Sequence, residues 1–154
     1  MCELAGPDSG LYALLIELVE PATVAVGRLG RFRFAAGHYV YVGSAKVRLR
    51  SRLARHQRRR KRLRWHVDYL LRPGRAADAV VFPWRPGGEC ELVRSALASE
   101  SAHVPVPGFG SSDCRCAAHL LQVALLHRCG WASKLFPRWR PMPTACHGEK
   151  ADRP

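Results

Sequence analysis

The stretch from His38 to Trp65 constrains this chain most. It opens as Tyr39-Val40-Tyr41-Val42, an aromatic and β-branched run that favours a strand, and passes through Gly43-Ser44-Ala45 into a segment made mostly of arginine. Beyond Ala45 the apolar positions Val47, Leu49 and Leu53 recur at helical spacing, with Ser44 as the expected N-cap. A strand, a glycine turn and a basic helix therefore succeed one another directly. Any fold must place aromatic hydroxyls and guanidinium groups close together.

On that helix Arg48, Arg52, Arg55 and Arg59 are three or four residues apart and share a face, as do Arg52 and His56. The cations of Arg58 to Arg62 repel one another, so the helix is expected to end or fray there. With 25 Lys and Arg against 12 Asp and Glu the net charge is +13, and the isoelectric point is near 10.4. Positive charge bunched in one segment is the electrostatic signature of a polyanion binder, with a plain solvated face as the alternative. Nucleic acid is the expected partner, and Arg48, Arg55, Arg59, Arg60, Lys61 and Arg62 are the residues expected to contact it.

At 154 residues the chain suits one domain, expected over 1–140, with residues 141–154 expected as a tail without order. No apolar run approaches the ~20 residues that span a bilayer, and Met1-Cys2-Glu3 lacks a basic leader. No membrane association and a cytoplasmic location are the expectations. Six cysteines in a reducing compartment stay as thiols. Nothing in the sequence bears on oligomeric state.

Gly10 to Val19 is a nearly continuous apolar run between turn residues and reads as a buried strand; Ala22 to Val26 reads as a second. Phe32 and Phe34 alternate with Arg31 and Arg33, which marks an edge piece with one apolar face. Trp65 to Leu71 is expected as a short helix, Ala79 to Phe82 as a strand, and Glu89 to Glu100 as an amphipathic helix with Leu92, Val93, Ala96 and Leu97 inward. Cys116 to His127 has a helical pattern with Asp113 as a cap. The fold class is thus α/β (α+β), a small central antiparallel sheet of three or more strands flanked by helices.

Gly10-Leu11-Tyr12 and Tyr41-Val42-Gly43, on neighbouring strands, together with Arg52-x-x-x-His56 on the following helix, resemble the GIY-YIG nuclease superfamily. Gly37 to Ala45, the Arg52/His56 pair, Trp65 to Leu71, Glu89 to Leu92 and Gly108 to Leu120 resemble, in this order, the DUF123 group, also called Uri-type endonucleases, a divergent branch of it. The resemblance implies a two-layer α/β sandwich and a metal-dependent endonuclease acting on DNA in preference to RNA. It implies Tyr12 and Tyr41 as the motif tyrosines, one serving the general base, Arg52 on the scissile phosphate, and His56 beside it. It also implies a helix glutamate holding Mg²⁺ or Mn²⁺, with Glu89 first choice because Leu92 and Val93 follow it on an apolar face, and Glu91 second. The alternative is a non-catalytic nucleic-acid-binding module on the same scaffold.

Phosphodiester hydrolysis needs a water nucleophile, a proton acceptor, and positive charge on the pentacovalent phosphate. Arginine and a carboxylate-held divalent ion supply the charge. A phenol titrates near ~10, so a tyrosine base needs neighbouring cations to lower it, and cations abound here. Each residue also has a plainer reading: Tyr12, Tyr39 and Tyr41 as core, His56 as a helix-surface side chain, His66 and Asp68 as diverging neighbours. Cys90, Cys114, Cys116 and His119 include zinc-ligand types, but the Cys-x-Cys spacing is less favourable than Cys-x-x-Cys, and buried free thiols are the competing reading.

Overall fold

A computed structural model describes residues 3–125 and 127–145. In chain order the elements are β1 (Glu3–Leu4), β2 (Gly10–Leu18), β3 (Ala22–Val26), β4 (Gly30–Phe34), β5 (Gly37–Ala45), α1 (Leu49–Gln57), α2 (His66–Leu70), β6 (Arg75–Phe82), α3 (Gly88–Leu97), β7 (Ala102–His103), β8 (Leu120–Val123), α4 (Trp131–Leu135) and β9 (Thr144–Ala145). A five-stranded sheet of order β6-β2-β5-β8-β7 forms the centre, antiparallel at every pairing. The expected α/β class with a small antiparallel sheet is what the chain adopts.

Central β2 is buried along almost its whole length, which is why its sequence lacks alternation. Its side chains separate by parity onto the two faces of the sheet. Tyr12, Leu14, Ile16 and Leu18 join a core with Leu49 and Leu53 of α1, Val67 and Leu70 of α2, and Phe34 of the β3–β4 hairpin. Leu11, Ala13 and Leu15 join a second core with Leu92, Val93 and Ala96 of α3 and Trp131 and Leu135 of α4. Both faces of the sheet are therefore covered, where the resemblance implied two layers.

Three local readings need correction. Ser44 is not a helix cap: β5 runs through Ala45, and α1 starts at Leu49 behind Arg48, whose φ of 57° lies in the left-handed region. The first amides of α1 are met from a distant segment, with Leu49 N donating to Asp8 O (3.2 Å) and Arg50 N to Asp8 Oδ1 (2.8 Å).

The helix expected over Cys116 to His127 is absent from its described residues; Leu120–Val123 is strand β8, paired with β5 and β7. Leu120 packs into one core and Leu121 and Val123 into the other. A strand apolar on both faces cannot be told from a helix by periodicity. Asp113 consequently caps no helix. Of the expected tail, Met142 N donates to Val81 O (2.7 Å) and β9 pairs with β1, while residues 146–154 lie outside those described.

Helix α1 does end where charge repulsion said it would, at Gln57 before the cation run. No helix among the described residues is long and apolar enough to cross a membrane.

Candidate functional site

Strands β2 and β5 pair so that Tyr12 lies opposite Gly43. A Cβ on Gly43 would stand 2.5 Å from the Tyr12 ring and hydroxyl. Glycine at this position therefore lets the phenol lie across β5 toward α1. There Tyr12 Oη is 2.9 Å from His56 Nε2, in a buried contact. The Tyr12 and Tyr41 rings are 6.4 Å apart, and each stands within about one ring width of the His56 imidazole, at 5.5 Å and 6.3 Å between centroids. Tyr39 belongs to the core instead, its hydroxyl donating to Ala35 O at 2.6 Å.

These groups border a polar cleft of about 300 Å³ lined by Tyr12, Tyr41, Gly43, Ser44, Arg52, Arg64, Trp65, His66, Glu89, Gly110, Ser112, Asp113 and His119. Four sequence-predicted residues, Tyr12, Tyr41, Arg52 and Glu89, converge there from β2, β5, α1 and α3. Arg52 donates to Ser44 O and stacks on the Trp65 ring, 4.8 Å from its centroid. Those two anchors hold the guanidinium at the cleft wall. Glu91, the second choice for the carboxylate, pairs with Arg85 outside the cleft, and the side chain of Glu89 is 30 % exposed within it. Two residues apart on one helix, the two side chains face nearly opposite sides, and only Glu89 reaches the cleft.

Burial sets the protonation states. Desolvation pushes the Tyr12 phenol well above its ordinary value, reinforced by Tyr41; Arg52 pulls the other way and loses. Tyr41 is raised as well, by burial first and Glu89 second. The expectation that abundant cations lower a tyrosine pKa is thus overturned. His56 is held at about 4, chiefly by desolvation and then by Lys61, so its ring is neutral at physiological pH. Among the described residues its buried Nδ1 has no hydrogen-bond partner, and the ring's polar contact is Nε2, facing Tyr12. His66 accepts from Gly110 N through Nδ1 at 2.9 Å and is lowered by burial. Its remaining nitrogen carries the proton, on a ring that lines the cleft.

The basic run divides into two roles. Arg55 forms a two-pronged pair with Asp68, NH1 to Oδ1 at 2.8 Å and NH2 to Oδ2 at 2.9 Å, and stacks on Trp65. Asp68 also accepts from Arg64 N and Trp65 N; these hydrogen bonds outweigh burial and keep it below the usual carboxylate range. Lys61 Nζ donates to Arg55 O (3.1 Å) and His56 O (3.0 Å), closing the end of α1. Arg55 and Lys61, expected as nucleic-acid contacts, are therefore committed first to holding the fold. Arg48, Arg59, Arg60 and Arg62 are exposed.

Arg55, Arg58, Arg60, Lys61, Arg62 and Arg64 line a second depression of about 280 Å³. Arg64 belongs to both hollows. Arg64 falls within the basic run expected to hold substrate and His66 is one of two residues that could support the site, whereas Trp65 and Asp113 on the cleft wall were not expected there. Trp65 to Leu71 signalled a core helix, and only the packing of α2 against the cleft shows what its leading residues face.

Cys90, Cys114, Cys116 and His119 offer ligand atoms that all lie within 4.8 Å of one another. His119 is buried and faces two ways, with Nε2 3.3 Å from Cys114 Sγ and Nδ1 3.4 Å from Glu89 Oε2.

A family model described as "Domain of unknown function DUF123" matches residues 11–134. No curated protein and no solved structure matches the chain.

Proposed function

The chain belongs to the DUF123 family, and we propose that it is a metal-dependent endonuclease hydrolysing phosphodiester bonds in DNA. The observation that supports this reading is the convergence of Tyr12, Tyr41, Arg52 and Glu89 on one polar cleft, from four different elements. Coincidence is a weak account of it. Four residues chosen for one reaction meet, while Tyr39 and Glu91, of the same types and two residues from a site member, point elsewhere.

Glu89 and Asp113 both line the cleft, and among the described residues no Lys or Arg pairs with the Glu89 carboxylate. Oxygen donors open to water and substrate fit a Mg²⁺ or Mn²⁺ ion, which demands few protein ligands. Bound there, the ion would supply positive charge to the phosphate and to the leaving oxygen. Arg52 clamps a non-bridging phosphate oxygen, held ready by Ser44 and Trp65. The Nε2–H of His66 gives a further donor.

Tyr12 and His56 handle the proton together. A phenol raised by burial is a poor source of phenoxide at rest, but it relays: its oxygen takes a proton from the attacking water as its own proton passes to His56 Nε2. Bound phosphate places negative charge beside the imidazole and raises its basicity from the resting value of about 4. The water becomes the new P–O bond, and the displaced sugar oxygen leaves with a proton from solvent.

The cation-lined hollow joined at Arg64 is the natural seat for the backbone on one side of the cut. It also favours the alternative, a module that binds nucleic acid without cutting it, since six cations need no chemistry to hold phosphates. Cleavage of supercoiled, branched and single-stranded DNA, with and without Mg²⁺ or Mn²⁺, separates the two. Metal-dependent product that disappears in Arg52→Ala supports the enzyme; salt-sensitive binding with no product from any substrate supports the module.

A further inference from the structure

We propose that Cys90, Cys114, Cys116 and His119 bind one Zn²⁺ ion, and that His119 couples this ion to the Glu89 carboxylate of the cleft. The Cys-x-Cys spacing is unfavourable for a site built on one short loop, but here Cys90 comes from a different element. The fold draws the ligands from two segments: Cys90 sits in the first turn of α3, while Cys114, Cys116 and His119 lie on the loop between β7 and β8, His119 immediately before the strand. His119 is fixed at that point by its backbone, N donating to Phe109 O (2.7 Å) and O accepting from Val42 N (2.9 Å).

The four ligand atoms are already gathered at a spacing from which a tetrahedral ion needs only small side-chain shifts. A Zn–S bond of about 2.3 Å places sulfurs about 3.8 Å apart around a tetrahedron; here all four ligand atoms are within 4.8 Å of one another, and Cys114 Sγ to His119 Nε2 is 3.3 Å. Cys116 N also points at Cys114 Sγ, 3.4 Å away, as a donor to a thiolate would. Three sulfurs and an imidazole select a soft, tetrahedral ion over Mg²⁺ or Ca²⁺. Three thiolates and Zn²⁺ carry a net single negative charge. The adjoining surface hollow, lined in part by Cys90, Cys116, Arg94 and Arg115, supplies cations beside it.

Free buried thiols would explain sulfurs in apolar surroundings. They do not explain why an imidazole nitrogen is aimed among them. With Nε2 committed to the metal, Nδ1 carries the proton and faces Glu89 Oε2 at 3.4 Å. The zinc ion thereby fixes the tautomer and orientation of the group that steadies Glu89. This second half rests on Glu89 as the metal-binding carboxylate of the cleft; zinc binding itself does not.

The test is elemental analysis of the full chain purified without chelator, followed by Co²⁺ titration of the stripped protein. One zinc per chain, thiolate-to-cobalt charge transfer and tetrahedral visible bands are expected, all lost or weakened at least about tenfold in Cys114→Ser and Cys116→Ser but retained in Cys129→Ser, whose cysteine is exposed and outside the cluster. Trace zinc in folded wild type with no cobalt–thiolate spectrum overturns the site. For the coupling, His119→Cys preserves four zinc ligands and removes the nitrogen facing Glu89. Its Mn²⁺ affinity, followed by electron paramagnetic resonance, is expected to fall about tenfold with zinc content unchanged. Equal Mn²⁺ affinity in that variant overturns the coupling, and no Mn²⁺ binding to wild type overturns the Glu89 assignment while the zinc result stands.

Discussion

Tyr12 Oη and His56 Nε2 are 2.9 Å apart although the residues are 44 positions apart in sequence, and neither side chain has appreciable exposure to solvent. The pair joins the start of central strand β2 to the last turn of α1. If the two act as one proton relay, their losses do not add. Tyr12→Phe and His56→Ala are each expected to slow cleavage by about 10²–10⁴-fold, the usual reach of acid–base catalysis, and the double variant by little more than either. Single-turnover rates at saturating enzyme check this; additive losses would separate the two roles.

His56 also links stability to pH. Its folded value of about 4 lies below the ordinary 6.5, so the unfolded chain binds the proton more readily. Its contribution is complete above pH 6.5 and is lost as pH falls toward 4, amounting to about 3 kcal/mol across that window. Urea unfolding at pH 7.5, 6, 5 and 4 measures it. In His56→Gln the acid-side decline is expected to be shallower by that component.

Asp68 is fully buried and held by Arg55 and two backbone amides. Asp68→Asn leaves the guanidinium without its counter-charge, and a loss of about 3–5 kcal/mol is expected from breaking such a pair on one side. The midpoint of denaturant unfolding reports it. Because Arg55 and Arg52 both stack on Trp65, the same change is expected to loosen Arg52 and weaken DNA binding.

Gly43 and Gly110 are the two places where backbone makes room for the tyrosines. An added Cβ would meet Tyr12 at 2.5 Å and Tyr41 at 2.9 Å, and Gly110 has φ of +75° besides. Gly43→Ala is expected to destabilise by about 1–3 kcal/mol through overpacking and to displace the Tyr12 hydroxyl from His56. Thermal unfolding together with the cleavage rate checks both consequences.

The strand–turn–basic-helix succession was legible because it rests on local pattern, whereas the set Tyr12, Tyr41, Arg52 and Glu89 came from the resemblance of the motifs on β2, β5 and α1 to a known family, not from composition or periodicity. Local pattern misread β8, whose Leu120, Leu121 and Val123 serve both cores and so show no strand period. The cap of α1 was misplaced because Asp8 reaches it from 41 residues before Leu49. Arg55 looked like any other arginine of the run; its partner Asp68 is visible only once α2 folds back. The direction of the tyrosine shifts was hidden for a similar reason, since charge can be counted in a sequence and burial cannot.

Cleavage of supercoiled DNA by purified wild type, Arg52→Ala and Glu89→Gln, with and without Mg²⁺ or Mn²⁺, tests the account most directly. It predicts metal-dependent nicking or linearisation by wild type and loss of at least about 10²-fold in both variants, the scale for removing one charge-stabilising group. DNA bound and released intact by all three, or cut equally by all three, would contradict it.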